Sequence, residues 1–351
     1  QQGSVSPANG DPLVTEAFVL DPVVSTRLEV RVAEIYVVDM GHLARPRCAT
    51  ARVAAAALVA AALLSACGAP GAAEEDDARP LVLTTFTVVA DIARNVAGED
   101  LRVASITKVG AEIHGYDPTP GDLRRGAGAD LVLDNGLGLE SWFARFVDGL
   151  DVPRVTLSDG IATIPVARGE AEGRPNPHAW MSPTAGASYA RRAAEAFAEL
   201  DPARADVYRE RAERYATRLG TLRDELVARL ATVPPAARAL VTCEGAFSYL
   251  AADVGLEERY LWAVNAEQQA TPQQVAEIET FVRERGVAAV FCESTVNPSP
   301  MQRVAESTGA RFVGPLYVDS LSVPDGPVPT YLDLLRHDVD LIVAGLTGGS
   351  P

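Results

Sequence analysis

From residue 81 onward, short apolar runs alternate with stretches whose apolar positions recur every three or four residues. Runs rich in β-type residues at 81–85, 101–107, 129–134 and 154–157 predict four strands. A helical pattern at 88–97 ends at Gly98, and another helix starts after Pro118 and Pro120. Apolar strands separated by helices predict parallel sheet with helical crossovers, because such strands are covered on both faces.

The pattern then lengthens. Val207, Tyr208, Ala212, Tyr215, Leu219, Leu222, Leu226 and Leu230 are spaced mostly by three and four, so 203–231 predicts one helix with a single buried stripe. At ~1.5 Å per residue it runs about 42 Å, long enough to connect two lobes. Pro234 and Pro235 end it. Strands predicted at 238–242, 259–264, 287–292 and 311–313 repeat the first half. Thr271-Pro272-Gln273-Gln274 offers a capping box with proline at the first helical position. Val275, Ile278, Phe281 and Val282 follow on one face, Gly286 closes that helix, and a last amphipathic helix covers 331–346. The expected fold is α/β: two lobes, each a mainly parallel sheet flanked by helices, joined by one long spanning helix. The first lobe is 81–202, the linking helix 203–233 and the second lobe 234–351.

The segment before residue 81 reads as an address. The apolar run at 53–64 has 12 residues, whereas a membrane-spanning helix needs about 20. Arg45, Arg47 and Arg52 precede it, and Leu64-Ser65-Ala66-Cys67 follows. A basic segment, a short apolar core and small residues, in that order, describe a secretory signal rather than a buried Ala-rich helix. Its ending resembles a bacterial lipobox, which implies that Cys67 is the first mature residue and carries lipid on its sulfur. Met40 is a natural start, so 40–66 reads as signal peptide and 1–39 as a non-native extension. Small and acidic, 67–80 reads as a flexible tether.

Composition narrows the function. The 351 residues are 48% hydrophobic and 22% charged, an ordinary globular mixture, and 31 basic against 47 acidic residues give a net charge of −16. That balance excludes nucleic acid as a partner, since nucleic-acid binding needs basic stripes. None of the four cysteines forms a CxxC pair, which argues against a zinc ribbon or a thioredoxin-type site.

Three histidines follow residue 66: His114, His178 and His337. His114 lies just after the strand at 101–107, and His178 precedes a helical run; both sit in Pro-rich loops. Histidine in a rigid loop makes a good ligand, although each alone also reads as a surface residue. Glu244 follows the strand at 238–242, and Asp319 lies six residues beyond the strand at 311–313. Separately these two read as helix caps or solvated groups. Together the four lie beyond the carboxyl ends of strands, where open α/β sheets bind ligands, and each half supplies two.

Several stretches carry a resemblance. They are His-Gly-Tyr-Asp-Pro-Thr-Pro at 114–120, Asp-Asn-Gly-Leu-Gly-Leu-Glu at 134–140 before Trp142, and Asn-Pro-His-Ala-Trp at 176–180. Thr-Cys-Glu-Gly-Ala-Phe at 242–247, Cys-Glu-Ser at 292–294 and Val-Asp-Ser at 318–320 follow. In this order they make 81–346 resemble the metal-binding proteins of manganese, iron and zinc ABC importers. The resemblance implies two lobes, a spanning helix, and His114, His178, Glu244 and Asp319 as ligands of one divalent transition-metal ion. It also implies ABC permease and ATPase subunits as partners, and an exported monomer anchored to the outer face of the cell membrane through Cys67.

Zinc members of this family usually place histidine where Glu244 stands, and many carry a His-rich loop; here 167–176 is short and has no histidine. Two imidazoles with two carboxylates favour Mn²⁺, with Fe²⁺ second, over tetrahedral Zn²⁺, although zinc has the higher intrinsic affinity. Affinity at such a site falls below about pH 6.5, where ligand imidazole is protonated. Cys243 and Cys292 each precede a glutamate at a strand end. In an exported protein they read as a disulfide, which neighbouring parallel strands allow, or else as two buried thiols. A thiolate ligand would favour zinc. His337 reads as a surface residue, Trp142, Trp180 and Trp262 as packing, and Glu293 as either a support for a ligand or a helix cap. An enzyme would keep an open coordination position, and no HExxH, Ser/His/Asp order or phosphate loop is present. The remaining alternatives are a zinc- or iron-specific protein of the same type, a chelate binder, and an adhesion lipoprotein with incidental metal.

Overall fold

The structure, a computed structural model, describes residues 77–143, 152–169, 171–264 and 270–349. The expected extension at 1–39, signal at 40–66, lipid attachment at Cys67 and tether up to residue 76 lie outside the described residues. All described residues fall in one compact unit, Asp76–Pro351.

In the first half, β1 (Leu81–Thr84), β2 (Arg102–Ser105), β3 (Leu131–Asp134) and β4 (Arg154–Thr156) form one parallel sheet in the order β2-β1-β3-β4. Its strands are apolar on both faces, as a covered sheet requires. Val82 enters the main core, whereas Leu83 joins Ile106, Val132 and Phe143 on the other side. The crossovers include α1 (Thr87–Ala97), stopped at Gly98, and α2 (Pro120–Gly126). Ser182 caps α3 (Pro183–Leu200), its hydroxyl accepting from the Ala185 amide with proline at the first turn.

The long helix is α4 (Ala205–Leu230), 26 residues, or about 39 Å. Its stripe of Tyr208, Ala212, Tyr215, Leu219, Leu222, Leu226 and Leu230 is buried as the spacing predicts, but Val207 is exposed. One residue before Tyr208, Val207 is turned about 100° off the stripe by the helical period.

The second half contains β5 (Ala239–Glu244), β6 (Glu257–Trp262), β7 (Ala289–Glu293) and β8 (Arg311–Leu316). They form two parallel pairs, β5-β6 and β7-β8, rather than the single sheet expected. A disulfide ties β5 to β7, with Cys243 and Cys292 sulfurs 1.98 Å and α-carbons 4.9 Å apart. The helices are α5 (Ser248–Val254), α6 (Pro272–Arg285), α7 (Ser299–Thr308) and α8 (Tyr331–Thr347). The capping box at Thr271 and Gln274 is present, and left-handed Gly286 ends α6.

One hydrophobic core serves both halves. Val82, Phe86 and Leu133 from the first half share it with Leu240, Phe291 and Leu316 from the second, and the buried faces of α4 and α8 complete it.

Candidate metal centre

Strand alternation places the acidic side chains. In β5, Leu240 faces the shared core while Val241 and Cys243 pack in a separate cluster. Side chains alternate along a strand, so Glu244 falls on the Leu240 face. In β7, Phe291 faces the shared core, Val290 and Cys292 face away, and Glu293 falls on the Phe291 face. The two carboxylates therefore look one way and the disulfide closes the back. The Glu244 amide donates to both Glu293 oxygens, at 3.3 and 3.2 Å. Glu244 and Glu293 are the last strand residues, whereas the sequence predicts strands ending at 242 and 292. Strand β8 also runs on to Leu316, which brings Asp319 to three residues beyond its end.

The four predicted side chains meet. His114 Nε2 lies 3.1 Å from His178 Nε2. Glu244 Oε1 lies 3.3 Å from the first and 3.6 Å from the second. A ring nitrogen of each histidine and a carboxylate oxygen of Asp319 all lie within 4.8 Å of one another. The side chains of His114 and Glu244 are 4% and 1% exposed, and His178 and Asp319 are 0% and 1% exposed. Asp319 Oδ2 accepts from the Thr295 hydroxyl at 2.9 Å, but its buried Oδ1 has no hydrogen-bond partner among the described residues. A buried carboxylate oxygen left without a donor is costly unless a cation meets it. Two metal–nitrogen bonds of ~2.1 Å at roughly a right angle would set the nitrogens about 3 Å apart, so the imidazole pair has the spacing of a shared ion.

The surrounding loops are held by named contacts. Buried Asp122, near the start of α2, accepts from Tyr116 Oη at 2.9 Å and from the Thr119 amide and hydroxyl, both at 2.7 Å. Trp142 Nε1 donates to the Ile113 carbonyl at 2.8 Å. These bonds fix the His114 loop from both sides. Trp180 Nε1 donates to the Val318 carbonyl at 3.1 Å and so joins the His178 loop to the Asp319 loop. Both indoles do more than the packing expected of them; Trp262 Nε1 is buried with no hydrogen-bond partner among the described residues.

The stretch at 134–140 has a supporting role. Glu140 accepts from Thr85 Oγ1 at 2.8 Å and from the Asn135 and Gly136 amides at 2.7 and 3.0 Å. Asn135 Nδ2 then donates to the Pro177 carbonyl at 3.0 Å, beside His178. Glu293 is a support beneath Glu244, and half-buried His337 on α8 takes no part in the cluster, its Nε2 lying 3.3 Å from the Pro315 carbonyl.

Burial dominates the electrostatics. It holds the His178 imidazole well below its ordinary pKa, with the nearby His114 adding to the effect, so His178 is neutral at neutral pH. It pushes Asp319 up to about 7; the Glu244 charge also raises it, while His114 and the Thr295 hydroxyl pull it down. Burial and the Glu244 charge push Glu293 well above the ordinary carboxylate range, which keeps its carboxyl neutral beneath Glu244. Two imidazoles facing two carboxylates in a buried site suit one divalent cation.

Relatives share this architecture. The family described as zinc-uptake complex component A, periplasmic, matches residues 82–345. The iron-binding protein YfeA of Yersinia pestis is 48% identical over 75% of this chain and 85% of its own length. The manganese-binding lipoprotein MntA of Halalkalibacterium halodurans is 33% identical over 80% of this chain and 93% of its own. Among solved structures, the Mn-bound periplasmic metal-binding protein of Candidatus Liberibacter asiaticus superposes with a TM-score of 0.72 at 37% identity. That match covers 76% of this chain and 100% of the other.

Proposed function

This chain belongs to the zinc-uptake complex component A family, extracytoplasmic metal-binding proteins of ABC importers, and from that premise we propose that it captures one Mn²⁺ ion through His114, His178, Glu244 and Asp319. It passes the ion to the permease and ATPase subunits of its importer, acts as a monomer, and is anchored to the outer face of the membrane by lipid on Cys67. The observation that carries the ligand assignment is the buried Oδ1 of Asp319, without a hydrogen-bond partner among the described residues, in a pocket shared with two imidazole nitrogens. Manganese is favoured because two of the four donors are carboxylates; each can offer two oxygens, and six contacts suit Mn²⁺ better than tetrahedral zinc. Fe²⁺ is the second reading, favoured by the 48% identity to a protein named iron-binding.

The test is a metal-content measurement on protein purified without added metal, followed by competition among Mn²⁺, Fe²⁺ and Zn²⁺. Manganese retention, with His114→Ala and Asp319→Ala each weakening binding at least a hundredfold, is the expected result. Retention of zinc in four-coordinate geometry would overturn the choice of metal. Unchanged affinity in both variants would overturn the ligand set.

A further inference from the structure

We propose that Asn176 is the residue that orients His178 and ties it across the site to the strand carrying Glu244; this rests on the ligand assignment above. Asn176 is 1% exposed, and all four hydrogen-bonding positions of its amide are used. Oδ1 accepts from the His178 backbone N–H at 3.0 Å and lies 2.9 Å from His178 Nδ1. Nδ2 donates to the Gly245 carbonyl at 2.6 Å and to Ser248 Oγ at 3.2 Å.

Two of these partners fix the amide's orientation without ambiguity. A backbone N–H only donates, so the atom facing it is the oxygen; a backbone carbonyl only accepts, so the atom facing Gly245 is the nitrogen. The oxygen beside His178 Nδ1 therefore requires Nδ1 to carry the proton. Neutral His178 is left with its lone pair on Nε2, the atom 3.6 Å from Glu244 Oε1. The same amide is anchored on the second half. Gly245 directly follows Glu244, and Ser248 Oγ donates in turn to half-buried Glu258 on β6 at 2.5 Å. Tyr249 of α5 completes the hold, its hydroxyl donating to the Asn176 carbonyl at 2.8 Å. One side chain thus sets both which nitrogen of His178 is free and how far that nitrogen stands from Glu244.

Two substitutions separate these effects. Asn176→Ala removes both; Asn176→Asp keeps the acceptor for Nδ1–H and replaces the donor to Gly245 with an oxygen. Full-length protein labelled with ¹⁵N-histidine is examined metal-free for the His178 tautomer, and Mn²⁺ affinity is read from the resonance signal of the free ion. The expected tautomer is Nδ1–H in the parent and in Asn176→Asp, and mixed in Asn176→Ala. Affinity should fall about 10–100-fold in Asn176→Ala and by a smaller factor, above twofold, in Asn176→Asp. Asn176→Ala retaining Nδ1–H, or either variant binding Mn²⁺ within twofold of the parent, would overturn the proposal. If Asn176→Ala does not fold, Asn176→Asp alone decides on the same two readings. His178→Ala keeps the two ideas apart: unaltered Mn²⁺ binding there rejects the ligand assignment, whereas the tautomer of the metal-free protein still tests Asn176.

Discussion

At the scale of single residues, the proton that competes with the metal sits somewhere the sequence does not suggest. Histidine is the usual titrating ligand, which places the loss of affinity below about pH 6.5. In the fold His178 is already neutral, and burial lifts Asp319 to about 7. Below that pH the metal-free site holds a proton on Asp319 that the ion must displace; above it the carboxylate is already charged. Mn²⁺ affinity should therefore rise about tenfold per pH unit up to about pH 7 and then level off, as titrations across that range would show. A flat response from about pH 5.5 to 7.5 would contradict it. The four candidate ligands were legible in the sequence because histidines are few, the carboxylates lie near strand ends, and the surrounding motifs resemble those of a known family. Asn176 was not, although it stands two residues before His178. An asparagine before proline reads as a turn residue, and its partners at 245 and 248 come near only through the fold.

At the scale of elements, the clear features were those whose signal is local. Fully buried strands gave unbroken apolar runs, and proline, glycine and the capping box marked the ends of α4 and α6. Short α5 and α7 went unread: neither has a side-chain cap, and few turns leave little periodicity. The ends of β5 and β7 were set too early because a terminal glutamate reads as loop, whereas here burial in the site keeps it in the strand. Pairing in the second half was also beyond the pattern, since strand order depends on contacts distant in sequence. One helix contact deserves a test through its smallest residue. A Cβ at Gly186 in α3 would stand 2.5 Å from Tyr331 Oη, which bonds to the Trp180 carbonyl. Gly186→Ala should lower unfolding stability by about 1–3 kcal/mol in a denaturant titration. It should also weaken metal binding, because the displaced phenol supports the His178 loop.

At the scale of the whole molecule, the proposed ligands come from two halves that are not independent bodies. The first contributes His114 and His178, the second Glu244 and Asp319, and one core runs beneath both. Metal binding at such a site stabilises the entire unit rather than one half. At a thousandfold excess over Kd the gain is about 4 kcal/mol, and a chelator should remove it in a thermal melt. A site variant such as Asp319→Ala, with its affinity reduced a hundredfold or more, should keep at most about 1.4 kcal/mol of that gain at the same Mn²⁺ concentration.

The last helix has a consequence for how the protein is made. Residues of α8, among them Tyr331, Leu335 and Ile342, fill the same core as Val82 and Phe86 near the beginning of the described chain. A ribosome produces these two segments hundreds of residues apart, so the nascent polypeptide cannot close its interior until α8 has been made. Until then it remains an open thread, the form in which a polypeptide can be passed lengthwise through a narrow secretion channel. Translation arrested before residue 331 should accordingly yield a product digested by protease at rates typical of unfolded chains, and only products that include α8 should resist.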